Sequence, residues 1–168
     1  MRACLAEPVI VLEHRLGVAS CPEASEEVCL QLPLTADQRT VLRGRRRTRC
    51  GRDVLMQLPR EGPLQPGDRL MDGRRTMQVE VVAAAESLLR VQASSTLELL
   101  QAAYHLGNRH VALELHHDEL LLQEDSVLEG MLRSRGLAVS VCQRPFLPEG
   151  GAYGGGHSHR HAQAPSPA

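Results

Sequence analysis

The chain has 168 residues, 42% of them hydrophobic and 23% charged, with 19 basic side chains, all arginine, against 20 acidic ones for a formal charge of -1. That is room for one ordinary domain or two small ones, which excludes a large multidomain enzyme, and the near-neutral balance gives no global pull toward nucleic acid or a membrane surface. With one Phe, two Tyr and no Trp, the core must be built from Leu, Val and Ala.

Between residues 8 and 82 the pattern is strand-like. "PVIVLEHRLG", "EEVCLQLPLT", "VLRGRRRTRCGRDVLMQLP" and "MQVEVVAA" are short β-branched or alternating runs, separated by Gly and Pro signals such as "REGPLQPGDRLMDG". Residues 1–82 are therefore expected to form a small β-rich domain, and partner or peptide binding is the role expected of it. Within it Arg43, Arg45, Arg47 and Arg49 alternate, putting four guanidinium groups on one strand face, with Arg46 and Arg52 beside them. Nucleic-acid binding would need stacking aromatics next to that charge, and they are missing. A solvated face that blunts a sheet edge is the plainer reading, with an acidic protein partner as the alternative.

After residue 86 the periodicity changes. "ESLLRVQA" reads as a strand; "SSTLELLQAAYHLG" then places Leu97, Leu100, Ala103 and Tyr104 at helical spacing behind a capping box of Ser95 and Glu98. Gly107 suits the left-handed residue that stops the helix, so that His105 rides the last turn and His110 lies beyond. "HVALELHHD" and "ELLLQED" read as strands, "SVLEGMLRSRG" repeats the helix recipe with Ser126 and Glu129 as the box and Gly136 as the stop, and "LAVSVCQRPF" closes as a strand. The order β-α-β-β-α-β is the ferredoxin-like split arrangement, expected over 83–148. Residues 149–168, rich in Gly, His, Ala, Pro and Ser, predict a disordered tail. The fold class expected is α+β.

Five cysteines, an odd number with no C-x-x-C spacing, argue against a disulfide framework or a cysteine zinc site. The N-terminus lacks a signal-peptide pattern and no apolar run approaches a membrane span, so the expectation is a soluble cytoplasmic protein with reduced thiols.

Seven of the eight histidines follow residue 104, and imidazole is the commonest side-chain ligand for zinc, copper and nickel. His105 at a helix end is well placed simply to face the last carbonyls. His116 and His117 are adjacent in a strand and point to opposite faces unless a turn intervenes; His117, beside Asp118, is a candidate ligand. His157, His159 and His161 alternate on a Gly-rich leash with no core nearby to explain them. His110 alone cannot hold a metal, but a homodimer could present two copies across its axis. The tail, reaching at most about 23 Å from Gly150 to His157, could complete such a site. A site that is incomplete, exposed and closed by a flexible arm suits transfer of a metal better than catalysis.

These residues carry a resemblance. "LTADQRTVLRGRRRTRCGRDVLMQLPREGPLQPGDRL" at 34–70, "AAYHLGNRHVALEL" at 102–115, "SVLEGMLRSRGLAVSVCQRPFLPEGGAY" at 126–153 and the histidine-bearing tail together resemble the UreE family of urease accessory proteins, nickel metallochaperones of urease maturation. The resemblance implies a β-domain joined to a ferredoxin-like metal-binding domain that dimerises. It implies that His110, closing "GNRH", binds Ni²⁺ at the dimer interface and that the tail collects or exchanges the ion. It further implies delivery to a maturation GTPase and thence to apo-urease, with no nucleic-acid or membrane partner. Some family members carry H-H-D-H after "GNRH"; here "HHDE" puts Glu119 in the last place while His117 matches the other. Binding requires neutral imidazole, so affinity for nickel falls as pH drops below about 6.5, and Cu²⁺ or Zn²⁺ can compete in vitro.

Two other classes stay open on the residues alone. A hydrolytic metalloenzyme would need a fixed three-ligand site and a general base, and no H-E-x-x-H is present. A metal-free docking or folding module built on the β-domain is the other.

Overall fold

The computed structural model describes residues 9–16 and 30–150. The chain is mixed α+β, mostly strand, in two units. The first contains β1 (Ile10–Arg15), β2 (Leu30–Leu34), α1 (Ala36–Thr40), β3 (Arg43–Arg47), β4 (Asp53–Gln57), β5 (Arg69–Asp72) and β6 (Gln78–Ala83). These strands form one sheet in the order β2-β6-β5-β1-β4-β3. The pairs β1–β4 and β2–β6 are parallel and the others antiparallel. Strand alternation turns Leu30, Leu32 and Leu34, Val54 and Met56, and Val79 and Val81 to one side, where they pack with Leu12, Leu58, Leu64 and Leu70. A fully buried leucine contributes about 2 kcal/mol, which lets an almost aromatic-free core hold.

The second unit contains β7 (Ala85–Gln92), α2 (Thr96–Gly107), β8 (Glu114–Leu115), β9 (Leu120–Gln123), α3 (Ser126–Ser134) and β10 (Ala138–Pro145). Its antiparallel sheet runs β10-β7-β9-β8. One face packs Leu89, Val91, Leu120 and Leu122 against Leu99, Ala102 and Leu106 of α2 and Leu132 of α3. The other face carries Leu88, Leu121 and Phe146, with Ala36 against them.

That second cluster is the seam between the units. The Ala36 amide donates to Glu86 Oε1 at 2.7 Å, and the buried Arg39 guanidinium donates to the carbonyls of Leu34 at 3.3 Å and Phe146 at 2.7 Å. Burial pushes the Arg39 pKa down while Glu86 and Glu114 pull it up. Among the described residues no helix is long and apolar enough to cross a membrane, and Cys50 and Cys142 are free thiols. Cys4, Cys21, Cys29 and the tail from 151 lie outside the described residues.

Several local expectations need correction. The buried face of α2 is Leu99, Ala102 and Leu106, whereas Leu97, Leu100 and Tyr104 are 64%, 62% and 67% exposed. Ser95 caps α2 by accepting from the Glu98 amide, but the Glu98 carboxylate accepts from Ser94, so the box does not close on Ser95 as expected. The cap of α3 is Asp125, accepting from Val127 at 2.8 Å and Leu128 at 2.9 Å, with Ser126 already helical. The strand expected over 110–118 shrinks to Glu114–Leu115. β3 ends at Arg47, so the arginine row is three long; Arg49 sits in the turn, its amide donating to the Gln31 carbonyl at 2.8 Å. The elements α1 and β5 were not anticipated.

Candidate metal centre

His110 has φ +57 and closes helix α2. After Gly107 come three turn residues, with the Asn108 amide donating to Tyr104 at 3.0 Å and Arg109 to Leu106 at 3.0 Å. His110 then donates to the Gly107 carbonyl at 2.9 Å and Val111 to Leu106 at 3.2 Å. This is a Schellman closure centred on His110, not the glycine stop at 107 that the sequence suggests. Gly107 has no positive φ, and the physical reason is packing: running on to 110 lets Val111 join the core beside the fully buried Leu106. Histidine is among the few non-glycine residues that occupy the left-handed region with any frequency. The Arg109 guanidinium donates to the His105 carbonyl at 3.0 Å, so the carbonyls of residues 104 to 107 are all satisfied.

The result is an exposed imidazole on a well-fixed backbone. His105 is half-buried, with its ring edge-on to Tyr104 at 5.6 Å between centroids. On the side of α2 away from the core, Leu97, Leu100 and Tyr104 form an exposed apolar row leading toward this end of the helix.

The second histidine group is organised differently. His116 Nε2 meets Glu114 Oε1 at 2.8 Å, while Glu114 Oε2 accepts from the Leu147 amide at 2.6 Å. His117 is exposed and carries no hydrogen bond or ion pair among the described residues. Glu119 is buried, its oxygens bonded to Arg144 and Arg90. The Arg144 hydrogen bond, and after it Arg90, hold this carboxyl below the usual glutamate range against the opposing effect of burial. Its lone pairs serve a structural ion triad with Arg90 and Arg144.

Among the described residues no three His, Cys, Asp or Glu side chains converge as a metal cage. His157, His159 and His161 lie outside those residues. The chain reaches Gly150 after the Glu149 amide donates to the Leu113 carbonyl at 2.7 Å, which ties the root of the tail to the segment that follows His110. Sequence reasoning passed over Arg109 and Glu114; the latter's signal was faint, an acid two residues before His116.

Residues 12–84 match the family model described as the UreE urease accessory protein, N-terminal domain, and residues 86–166 match its C-terminal domain. The chain belongs to the UreE family. Relatives named urease accessory protein UreE include one from Synechococcus sp. (strain WH7805), 70% identical over 89% of this chain and 86% of its own length. Another, from Parasynechococcus marenigrum (strain WH8102), is 61% identical over 92% and 99%. A third, from Thermosynechococcus vestitus, is 49% identical over 83% and 95%. UreE membership makes this an accessory protein of urease maturation and not an enzyme, which removes the hydrolase alternative. The break between the two UreE models falls where β6 gives way to β7.

Proposed function

We propose that this protein is a nickel metallochaperone that delivers Ni²⁺ for assembly of the urease metallocentre. The observation that carries the reading is His110: a single imidazole, exposed, on a backbone locked by two Schellman hydrogen bonds, at the end of a helix whose outer side is apolar. One imidazole is a poor cage, but a homodimer formed on Leu97, Leu100 and Tyr104 brings two copies to one axis. The tail histidines, His157, His159 and His161, rooted near Leu113, supply further donors. His117, unpaired, is a secondary donor, and His105 is more useful to the helix end than to the metal.

The division of labour follows. Residues 1–82 form the docking half and 83–148 a ferredoxin-like metal-binding and dimerising half, a label supported by the sheet order β10-β7-β9-β8. Residues 149–168 supply the histidine-bearing tail. The partners are a maturation GTPase and apo-urease in the cytoplasm, with no nucleic acid. Imidazole donors bind Cu²⁺ or Zn²⁺ as well in vitro, so selection for nickel rests on partner and supply.

Nickel calorimetry tests this directly. The full chain is expected to show one tight event per dimer plus weaker uptake; His110→Ala loses the tight event, and truncation after Tyr153 lowers stoichiometry while sparing dimerisation. Tight binding that survives His110→Ala would refute the assignment.

A further inference from the structure

The formal charge of -1 conceals a polarised chain. Residues 43–61 carry seven arginines against Asp53 and Glu61, a local charge of +5, while the remainder carries twelve arginines against eighteen acids, or -6. Some of these arginines are consumed internally: Arg47 pairs with Asp53 at 3.0 Å and Arg49 bonds Gln31 at 2.9 Å. The guanidinium groups of Arg43, Arg45 and Arg60 have neither a hydrogen-bond nor an ion-pair partner among the described residues.

Arg43 and Arg60 line a cleft of about 400 Å³ whose other walls are Thr40, Val41, Leu42, Gly62 and Pro63, with no carboxylate. Val41 there is 47% exposed despite being apolar. Thr40 and Pro63 also line a second cavity of about 540 Å³ reaching Leu64 and Leu147, where the one lining carboxylate is Glu149. We propose that this cleft docks an extended acidic segment of a partner protein, with its carboxylates on Arg43 and Arg60 and an aliphatic side chain against Val41 and Pro63. Charge complementarity selects the sign of the ligand. The aliphatic lining and the absence of an aromatic from it select a peptide over single-stranded nucleic acid, which needs stacking platforms. The inference rests on reading the N-terminal unit as the docking half and is independent of nickel.

The test is fluorescence anisotropy on the full chain with a short labelled peptide alternating glutamate and valine. A peptide alternating glutamine and valine and an oligouridylate of similar length serve as competitors for the assignment. The acidic peptide is expected to bind, to weaken as salt is added, and to lose at least about tenfold in affinity in Arg43→Glu/Arg60→Glu. The milder Arg43→Gln/Arg60→Gln gives a smaller loss and guards against a folding defect, and Arg74→Glu, in the turn after β5, changes nothing. Equal binding of the glutamine peptide, or acidic binding indifferent to both arginines, overturns the acidic assignment but leaves a docking half standing. Tighter binding of the oligouridylate, lost with the same arginines, hands the cleft to nucleic acid. No binding by any probe overturns the inference and the docking reading together.

Discussion

At the scale of single residues, His110 combines two roles that conflict in stability. Its backbone must be left-handed to close α2, which costs an L-residue about 1 kcal/mol relative to glycine, while its ring is the proposed ligand. His110→Gly is therefore expected to be more stable than His110→Ala by about 1 kcal/mol, although both lose the tight nickel site; urea denaturation of the apo proteins measures it, and equal midpoints would mean that residue 110 carries no strain. Glu119 makes a pH-dependent prediction. Its folded carboxyl titrates below the unfolded one, so its contribution is complete above the ordinary glutamate range and is lost as pH falls through the folded value. Glu119→Gln should cost about 1–2 kcal/mol at neutral pH, and the gap from wild type should narrow as pH falls through and below the ordinary glutamate range. A gap that held constant in denaturation curves across that range would remove the ion triad as its cause. At this scale the sequence marked His110 as a candidate, which remains the proposed ligand, but misled on the helix stop, because Gly107 is the better left-handed residue and only the packing of Val111 reveals why the chain passes it by.

At the scale of elements, what was legible depended on length and on how many apolar faces an element has. The strands with clean alternation, β2, β4 and β6, were readable, and so were both long helices. The five residues of α1 are too few for a period to show, though Thr35 and Gln38 do form a closed capping box, and β5 hides in a Gly- and Pro-rich stretch. Helix α2 has apolar residues on two sides, and spacing alone cannot say which side meets the sheet; Leu97, Leu100 and Tyr104 stand at helical spacing yet lie outside the core. The caps make a sharp test. Since Asp125 and not Ser126 satisfies the first amides of α3, Asp125→Ala should destabilise the protein by about 1 kcal/mol, whereas Ser126→Ala should change it by less than about half of that. The reverse order in chemical denaturation would restore the register read from sequence.

At the scale of the whole molecule, the proposed docking and metal-binding roles fall on separate units joined through Arg39, Phe146 and the Glu86 carboxylate. The two-unit division and the β-α-β-β-α-β order were legible because the hydrophobic period changes near residue 84. The exposure of the row on α2 was not, since spacing shows that Leu97, Leu100 and Tyr104 share a face but not whether that face meets the sheet. This row carries the central claim, that the tight nickel site exists only when two chains meet. Leu100→Asp places a charge in the middle of the row, more than a helical turn from His110, and leaves every histidine in place. Nickel calorimetry on this variant, confirmed monomeric by sedimentation, should show the tight event gone and only weak tail uptake remaining. A monomer that still binds nickel as tightly as the wild-type protein would contradict the account.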